Sequence, residues 1–327
     1  MAVYTHIDQP ELQLLIDQLG LGRVIDFTGI EQGVENTNYK ISVETTHKEH
    51  LTAILTIFER RASPEDLPFF MEAMAFLAGK GIPTPTPQKT SEGQVILEVK
   101  GKPCALISFL PGGSHLTPSV DDSFAAGEAL GKLHLAGTSF RSTRENTLSL
   151  SGWRELSAEC TKAVGDHQHY MDLVTPEIDY LSAHWPKDLP KGLIHADYYP
   201  DNVFFDAAGA VSGIIDFYFS CTDFLAYDLA ISLNAWSSNP DGPDTDLFNK
   251  ERAAAFYRGY GAARPLSSAE VKALPILLRG ASVRFLLTRL YDVLHQVEGA
   301  LINVKDPDEY RRLLRHHQST EYSFDAE

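Results

Sequence analysis

Apolar residues recur at helical spacing from Asp8 to Leu19, with Leu12, Leu15, Ile16 and Leu19 on one face, and Gly20 and Gly22 supply a stop. From Arg23 the period shortens to two. RVIDFTGIEQGVENTNYKISVE reads as strand, glycine-containing turn and strand, and HLTAILTIFE as a third strand. A helix follows from about Pro64 to Lys80, its apolar face formed by Phe69, Phe70, Ala73, Met74, Phe76 and Leu77. IPTPTP cannot be helical, because proline lacks the amide donor, and the pattern predicts an extended link. QVILEV and CALISFL are two further strands. Pro111, Gly112 and Gly113 then break the pattern, which divides the chain into residues 1–110 and 111–327.

Beyond Leu116 the helical period dominates. Helices are predicted over Asp121–Ala136, Ser151–Tyr170, Pro176–His184, Phe224–Trp236, Asn249–Tyr260 and Ser268–Glu298. A loop rich in Asn, Pro, Asp and Gly (SSNPDGPDTD) interrupts this series, and no internal repeat is visible. The exception is Gly192–Phe217, where two short β-rich runs flank the polar stretch HADYYPDN at 195–202. The expected class is α+β, a small sheet-rich domain joined to a larger helical one.

Composition narrows the function classes. With 43% hydrophobic and 22% charged residues the chain reads as a soluble globular protein. A net charge of −16 repels a polyanion, so nucleic acid is an unfavourable partner. Cys104, Cys160 and Cys221 are odd in number and form no CxxC pair, which suits a reducing cytosol. The N-terminus shows no secretory pattern, and no apolar run approaches a membrane span. A soluble cytoplasmic protein is expected. Oligomeric state is not legible.

HADYYPDN could be a surface turn or a catalytic loop between strands. Asp197 and Asn202 lie five apart, and IIDFY at 214–218 adds Asp216 after a second apolar run. Phosphoryl transfer from a nucleotide needs such a set: one carboxylate to orient a hydroxyl and accept its proton, and hard oxygen ligands for Mg2+ at the phosphates. His167 and His169 lie two apart, so on a helix they point to different sides and read as a solvated helix end rather than a metal pair.

His-x-Asp-x-x-x-x-Asn followed by Ile-Asp-Phe resembles the catalytic and metal-binding segments of the protein-kinase-like superfamily. The form HADYYPDNVFFD…GIIDFYFSCTDFLAYDLA is closer to its small-molecule branch, the aminoglycoside phosphotransferase and choline kinase group. The resemblance implies a protein-kinase-like bilobal fold, with an antiparallel-sheet N-terminal lobe that binds nucleotide and a mainly helical, catalytic and substrate-binding C-terminal lobe. It implies ATP and Mg2+, with Asp197 as catalytic base, Asn202 and Asp216 as metal ligands, His195 as a scaffold residue and Asp228 as a brace for the loop. A carboxylate that merely favours a helix N-terminus is the competing role for Asp228.

GVENTNY occupies the place of the phosphate-covering hairpin, which makes Gly33, Asn36, Thr37 and Asn38 nucleotide candidates; an ordinary hairpin turn would look the same. Thr56 stands where most relatives carry a lysine for the α/β-phosphates, and Arg60 and Arg61 are the nearest cations. Glu72 could be the helix glutamate, or merely a solvated one. ISFL before PGG resembles the adenine-contacting hinge, naming Ser108, Phe109 and Leu110.

ENTNYKI, LTIFERR, DLPFFMEAMAFLAGKGIPTPTP, FLPGG, GLIHADYYPDNVFFD and IIDFYFSCTDFLAYDLAISLNAW together resemble the bacterial homoserine kinase family of this fold, from about residue 2 to 316. That likeness implies transfer of the ATP γ-phosphoryl group to the side-chain hydroxyl of L-homoserine, a step toward threonine. Such a substrate needs a cation for its carboxylate, and Arg279, Arg284 and Arg289 recur five apart on one predicted helix. Five-residue steps do not stay on one helix face, so at most one or two can share a pocket. Tyr218, Asp223, Asn234 and Trp236 are candidates for the ammonium side, with helix packing and capping as competing roles. A kinase for choline, ethanolamine, an aminoglycoside or another amino alcohol is the rival reading. A nucleotide-binding pseudokinase is a further one, motivated by the missing lysine.

Overall fold

Asp8 starts the first helix. Its carboxylate accepts the Glu11 amide at 2.9 Å while the Glu11 carboxylate accepts the Asp8 amide, closing both ends of a capping box on α1 (Gln9–Gln18). The structure is a computed structural model and describes residues 4–30, 36–59, 63–295 and 305–322. Leu12, Leu15 and Ile16 bury α1 in one apolar cluster with a five-stranded antiparallel sheet. The sheet comprises β1 (Gly22–Ile30), β2 (Thr37–Thr45), β3 (His50–Ile57), β4 (Leu97–Val99) and β5 (Lys102–Ser108), in the order β1-β2-β3-β5-β4. On β2, Tyr39, Ile41 and Val43 join that cluster, so Asn38 and Lys40 stand on the opposite face. α2 (Leu67–Gly79) lies between β3 and β4 in sequence.

One predicted strand is shorter than its pattern. Of QVILEV only Leu97–Val99 joins the sheet. The neighbouring stretch of the β5 edge is already taken, because the Gln88 amide donates to Leu106 O and the Ser108 amide to Thr86 O. The extended proline-rich link thus occupies the hydrogen-bonding positions that Gln94–Ile96 would need.

The described residues form two compact units. The first runs to Gly112 and also takes in Ser212–Tyr218; the second comprises Gly113–Val211 and the chain from Phe219 onward. Ser212–Tyr218 is held in the first unit by the Ile214 amide, which donates to Pro83 O at 2.7 Å, and by Ser212 Oγ, which donates to Pro111 O. Periodicity along a contiguous stretch cannot reveal such a return.

The second unit contains β6 (Gly113–Ser114), α3 (Val120–Gly137), α4 (Leu150–Ala163), α5 (Gln168–His184), β7 (Lys191–Ile194) and β8 (Val203–Phe205). β9 (Val211–Ile214) carries the chain into the first unit. β10 (Cys221–Phe224), α6 (Leu225–Ser237), α7 (Lys250–Ala263), α8 (Ser268–Leu294) and α9 (Asp308–Ser319) complete the second unit. The single helix predicted over Ser151–Tyr170 is in fact two. Gly165 adopts φ 46°, a left-handed conformation that ends the first, and α5 then continues through Pro176. Predicted residues 296–298 of the long helix lie outside the described residues. No described helix is long and apolar enough to cross a membrane. All three cysteines are free and buried, and burial pushes the Cys104 and Cys221 thiols up to about 12 and that of Cys160 to about 11.

α3 and α7 cross at backbone contact. A Cβ on Gly259 would lie 2.0 Å from Phe124 O, and one on Gly127 would lie 2.1 Å from Phe256 O. Glycine is required there by space, although alanine is the better helix former. Gly259→Ala should therefore destabilise by roughly 1–3 kcal/mol. Gly261→Ala, on the same helix with nothing within 4 Å, should stabilise by about 0.5–1 kcal/mol. Opposite shifts in urea midpoint would establish the close crossing; equal shifts would contradict it.

Candidate active site

β7 ends at Ile194, and the polar stretch begins at once. Leu193 to Pro200 is buried at every position except Asp197. A surface turn would show the reverse, so the loop is built to present one carboxylate. Ala196 adopts φ 65°, costly for a residue with a Cβ. It is held by Asp228 in the first turn of α6, whose Oδ2 accepts the His195 amide at 2.8 Å and whose Oδ1 accepts the Ala196 amide at 2.7 Å. Trp236 Nε1 donates to Tyr198 O at 2.9 Å, and the Tyr198 hydroxyl donates to Ala126 O. Tyr199 shares a hydrogen bond with Tyr310. Asn202 donates through Nδ2 to Asp197 O at 2.9 Å and to Asp197 Oδ2 at 3.2 Å. With its amide nitrogen committed inward, Asn202 retains a carboxamide oxygen for a hard cation.

Behind the loop runs a buried polar chain that the sequence did not disclose. Glu270, at the capping box of α8, accepts Arg264 Nη2 at 2.8 Å, and Arg264 Nη1 donates to the Tyr260 hydroxyl at 3.0 Å. Tyr260 meets His134 Nδ1 at 2.8 Å, and His134 Nε2 meets Asp228 Oδ2 at 3.0 Å. One proton assignment satisfies every group: Tyr260 donates to Nδ1, and Nε2–H donates to Asp228. Burial alone would raise the Asp228 pKa, but the hydrogen bonds from His134 and from the His195 amide outweigh it and hold the pKa below the ordinary carboxylate value. His134 lies 94 residues from its partner, and nothing in its helical pattern marks it out from the other histidines. The nearest available signal is the spacing of Ser267 and Glu270, which predicts the cap but not its connection.

Asp216 belongs to the first unit, at the end of β9, with φ 64°. Nearby Tyr218 packs edge-on against Phe58 and Phe70, at 5.1 and 5.9 Å between ring centroids. Gly33 lies outside the described residues, as do Arg60 and Arg61. Thr37 and Asn38 are strand residues rather than turn residues. Thr37 Oγ1 accepts the Tyr4 and Thr5 amides and donates to Glu59, and Asn36 Oδ1 accepts the Glu59 amide. Thr56 is buried opposite Asn38 and donates to its Oδ1 at 2.8 Å. Lys40 shares that sheet face and lies 4.6 Å from the Phe109 ring centre. The sheet ladder stops at Ser108, so Phe109 and Leu110 lie beyond it. Glu72 is exposed on α2.

Most candidate substrate residues are committed within the second unit. Arg279 forms a two-pronged ion pair with Glu177 at 2.6 and 2.7 Å. Arg289 donates to Glu309 and to Asp306 O. Asn234 binds Leu278 O, Ser282 and His317, and Trp236 is tied to the loop through Tyr198 O. Asp223 accepts Asn146 Nδ2 and the Phe224 amide, both at 2.7 Å. Arg284 is buried, and its Nε and Nη1 have no hydrogen-bond partner among the described residues.

An antiparallel sheet unit, a helical unit and a braced Asp–Asn loop together define a kinase-like phosphotransferase. The chain belongs to the phosphotransferase enzyme family, which matches residues 26–266. It is 46% identical over 322 residues to the homoserine kinase of Rhodopseudomonas palustris (strain BisB18), covering 98% of this chain and 96% of that protein. To the homoserine kinase of Agrobacterium fabrum it is 45% identical over 320 residues, covering 98% and 96%. Among solved structures, spectinomycin phosphotransferase in complex with ADP and spectinomycin superposes with TM-score 0.70 at 15% identity, covering 96% of this chain and 99% of that one. Amicoumacin kinase in complex with AMP-PNP and Ca2+ superposes with TM-score 0.69 at 19% identity, covering 94% and 92%. At such identities the solved structures establish the shared fold.

Proposed function

We propose that this protein is a cytoplasmic homoserine kinase, transferring the γ-phosphoryl group of ATP to the side-chain hydroxyl of L-homoserine to give O-phospho-L-homoserine. The observation that carries the reading is near-full-length identity of about 45% to several homoserine kinases. In this reading Asp197 orients the hydroxyl and accepts its proton as the oxygen bonds to the γ-phosphorus. The bond from that phosphorus to the β–γ bridging oxygen breaks, ADP departs, and the proton leaves Asp197 for solvent. The half-exposed setting of Asp197 in a buried loop supports this role.

Asn202, through its carboxamide oxygen, and Asp216 would hold Mg2+, a hard cation that takes oxygen ligands and offsets charge on the phosphates. Phe109 and Leu110 are proposed to meet the adenine, and Asn38 and Thr56, with Lys40 on the same sheet face, the phosphates. Asp223 is proposed for the substrate ammonium.

A coupled ADP-release assay with Mg2+ and a panel of amino alcohols tests the reading. Homoserine should exceed choline, ethanolamine and kanamycin in kcat/KM by at least about 100-fold, the scale on which a site built for a substrate's polar groups rejects analogues lacking them. Preference for choline or kanamycin would overturn the assignment.

A further inference from the structure

We infer that Arg284 is the residue that receives the substrate α-carboxylate, an inference that rests on the homoserine kinase reading. Three arginines stand on α8, and the fold commits two of them to Glu177 and Glu309. Arg284 is left over. Only 2% of it is exposed, and its Nε and Nη1 are buried without a hydrogen-bond partner among the described residues.

A guanidinium keeps its proton wherever a protein folds, so burial leaves a full positive charge with its water removed. The Phe219 and Phe285 rings, centred 5.7 and 5.0 Å from its central carbon, replace part of that lost hydration. They cannot fill a forked donor. An anion with two oxygens can, and a carboxylate matches the fork.

The position suits the substrate. Phe285 lies 5.1 Å from the ring of Tyr199 in the catalytic loop. The charge of Arg284 reaches Cys221, the ladder partner of the Ile194 that immediately precedes the loop. The buried neighbour of Arg284 is Tyr227, whose hydroxyl the guanidinium approaches closely enough to act on it by charge and as a hydrogen-bond donor; a single neutral oxygen leaves the rest of the fork open. Asp223, proposed above for the ammonium, stands on β10, the strand paired with the β7 that leads into the loop.

3-Amino-1-propanol is homoserine without its carboxylate, and comparing the two isolates the contact. The wild-type enzyme should favour homoserine in kcat/KM by about 100-fold or more, as expected for a buried charge pair. In Arg284→Gln that ratio should collapse to within about 10-fold, mainly through KM for homoserine, and Arg284→Lys should recover part of it. Two outcomes overturn the role of Arg284 alone: a wild-type enzyme that turns over homoserine and 3-amino-1-propanol equally well, or a variant that keeps the wild-type ratio. A wild-type enzyme indifferent to the carboxylate overturns the role without any variant, and Arg284→Lys, which keeps charge and bulk, serves as the test if Arg284→Gln does not fold. Turnover of another amino alcohol with none of homoserine would instead refute the proposed activity, and this inference with it.

Discussion

Asp197→Asn should lower kcat by roughly 10²–10⁴-fold, the usual contribution of a positioned general base, while ATP affinity stays within a few-fold. The reasoning is local. Asp197 is the one residue between Leu193 and Pro200 that is not buried, so the change removes little packing. The backbone anchor survives as well, because Asn202 Nδ2 donates to the Asp197 carbonyl independently of the side chain. What is lost is the ability to accept a proton from the attacking hydroxyl. Single-turnover kinetics and nucleotide titration separate these effects. A kcat within tenfold of wild type would place the base elsewhere.

A different failure is expected from Asp228→Asn. Asparagine presents one oxygen and one NH2 group where two oxygens together receive His195 N, Ala196 N and His134 Nε2. At least one buried donor then faces another donor. Breaking a buried, fully bonded carboxylate cluster costs roughly 3–5 kcal/mol, and the loop that carries Asp197 loses its left-handed Ala196. Stability and kcat should fall together, whereas Asp197→Asn should move kcat alone.

The effect of Asp228 also has a pH signature. Its folded-state pKa is depressed, so its contribution is complete above the ordinary value of 3.8 and disappears as pH falls through the lower folded value. The stability gap between wild type and Asp228→Asn should be constant near neutrality and shrink only in that acid window. Urea midpoints that match at pH 7 would show that the loop does not depend on this carboxylate.

The candidate site was proposed from the sequence alone. Asp197, Asn202 and Asp216 stand out because polar residues interrupt two apolar runs, and β7 ends where the polar stretch begins. The arginines on α8 show how far that legibility reaches. Spacing alone presents Arg279, Arg284 and Arg289 as equivalents. Glu177 and Glu309, which separate them, come from α5 and α9 and are remote in sequence. The strand QVILEV fails for the same reason, since its place on β5 is filled by Thr86–Gln88.

By itself the sequence determined most element types, the α+β class and the loop proposed to bear the catalytic carboxylate, because these depend on short-range periodicity and on neighbours a few residues apart. Only the tertiary structure decided which buried charges have partners, how Asp228 and His134 brace the loop, and why α3 and α7 need glycine at their crossing. Those outcomes depend on distances between segments separated by tens to more than a hundred residues, and desolvation and close packing assign their costs only once the segments meet.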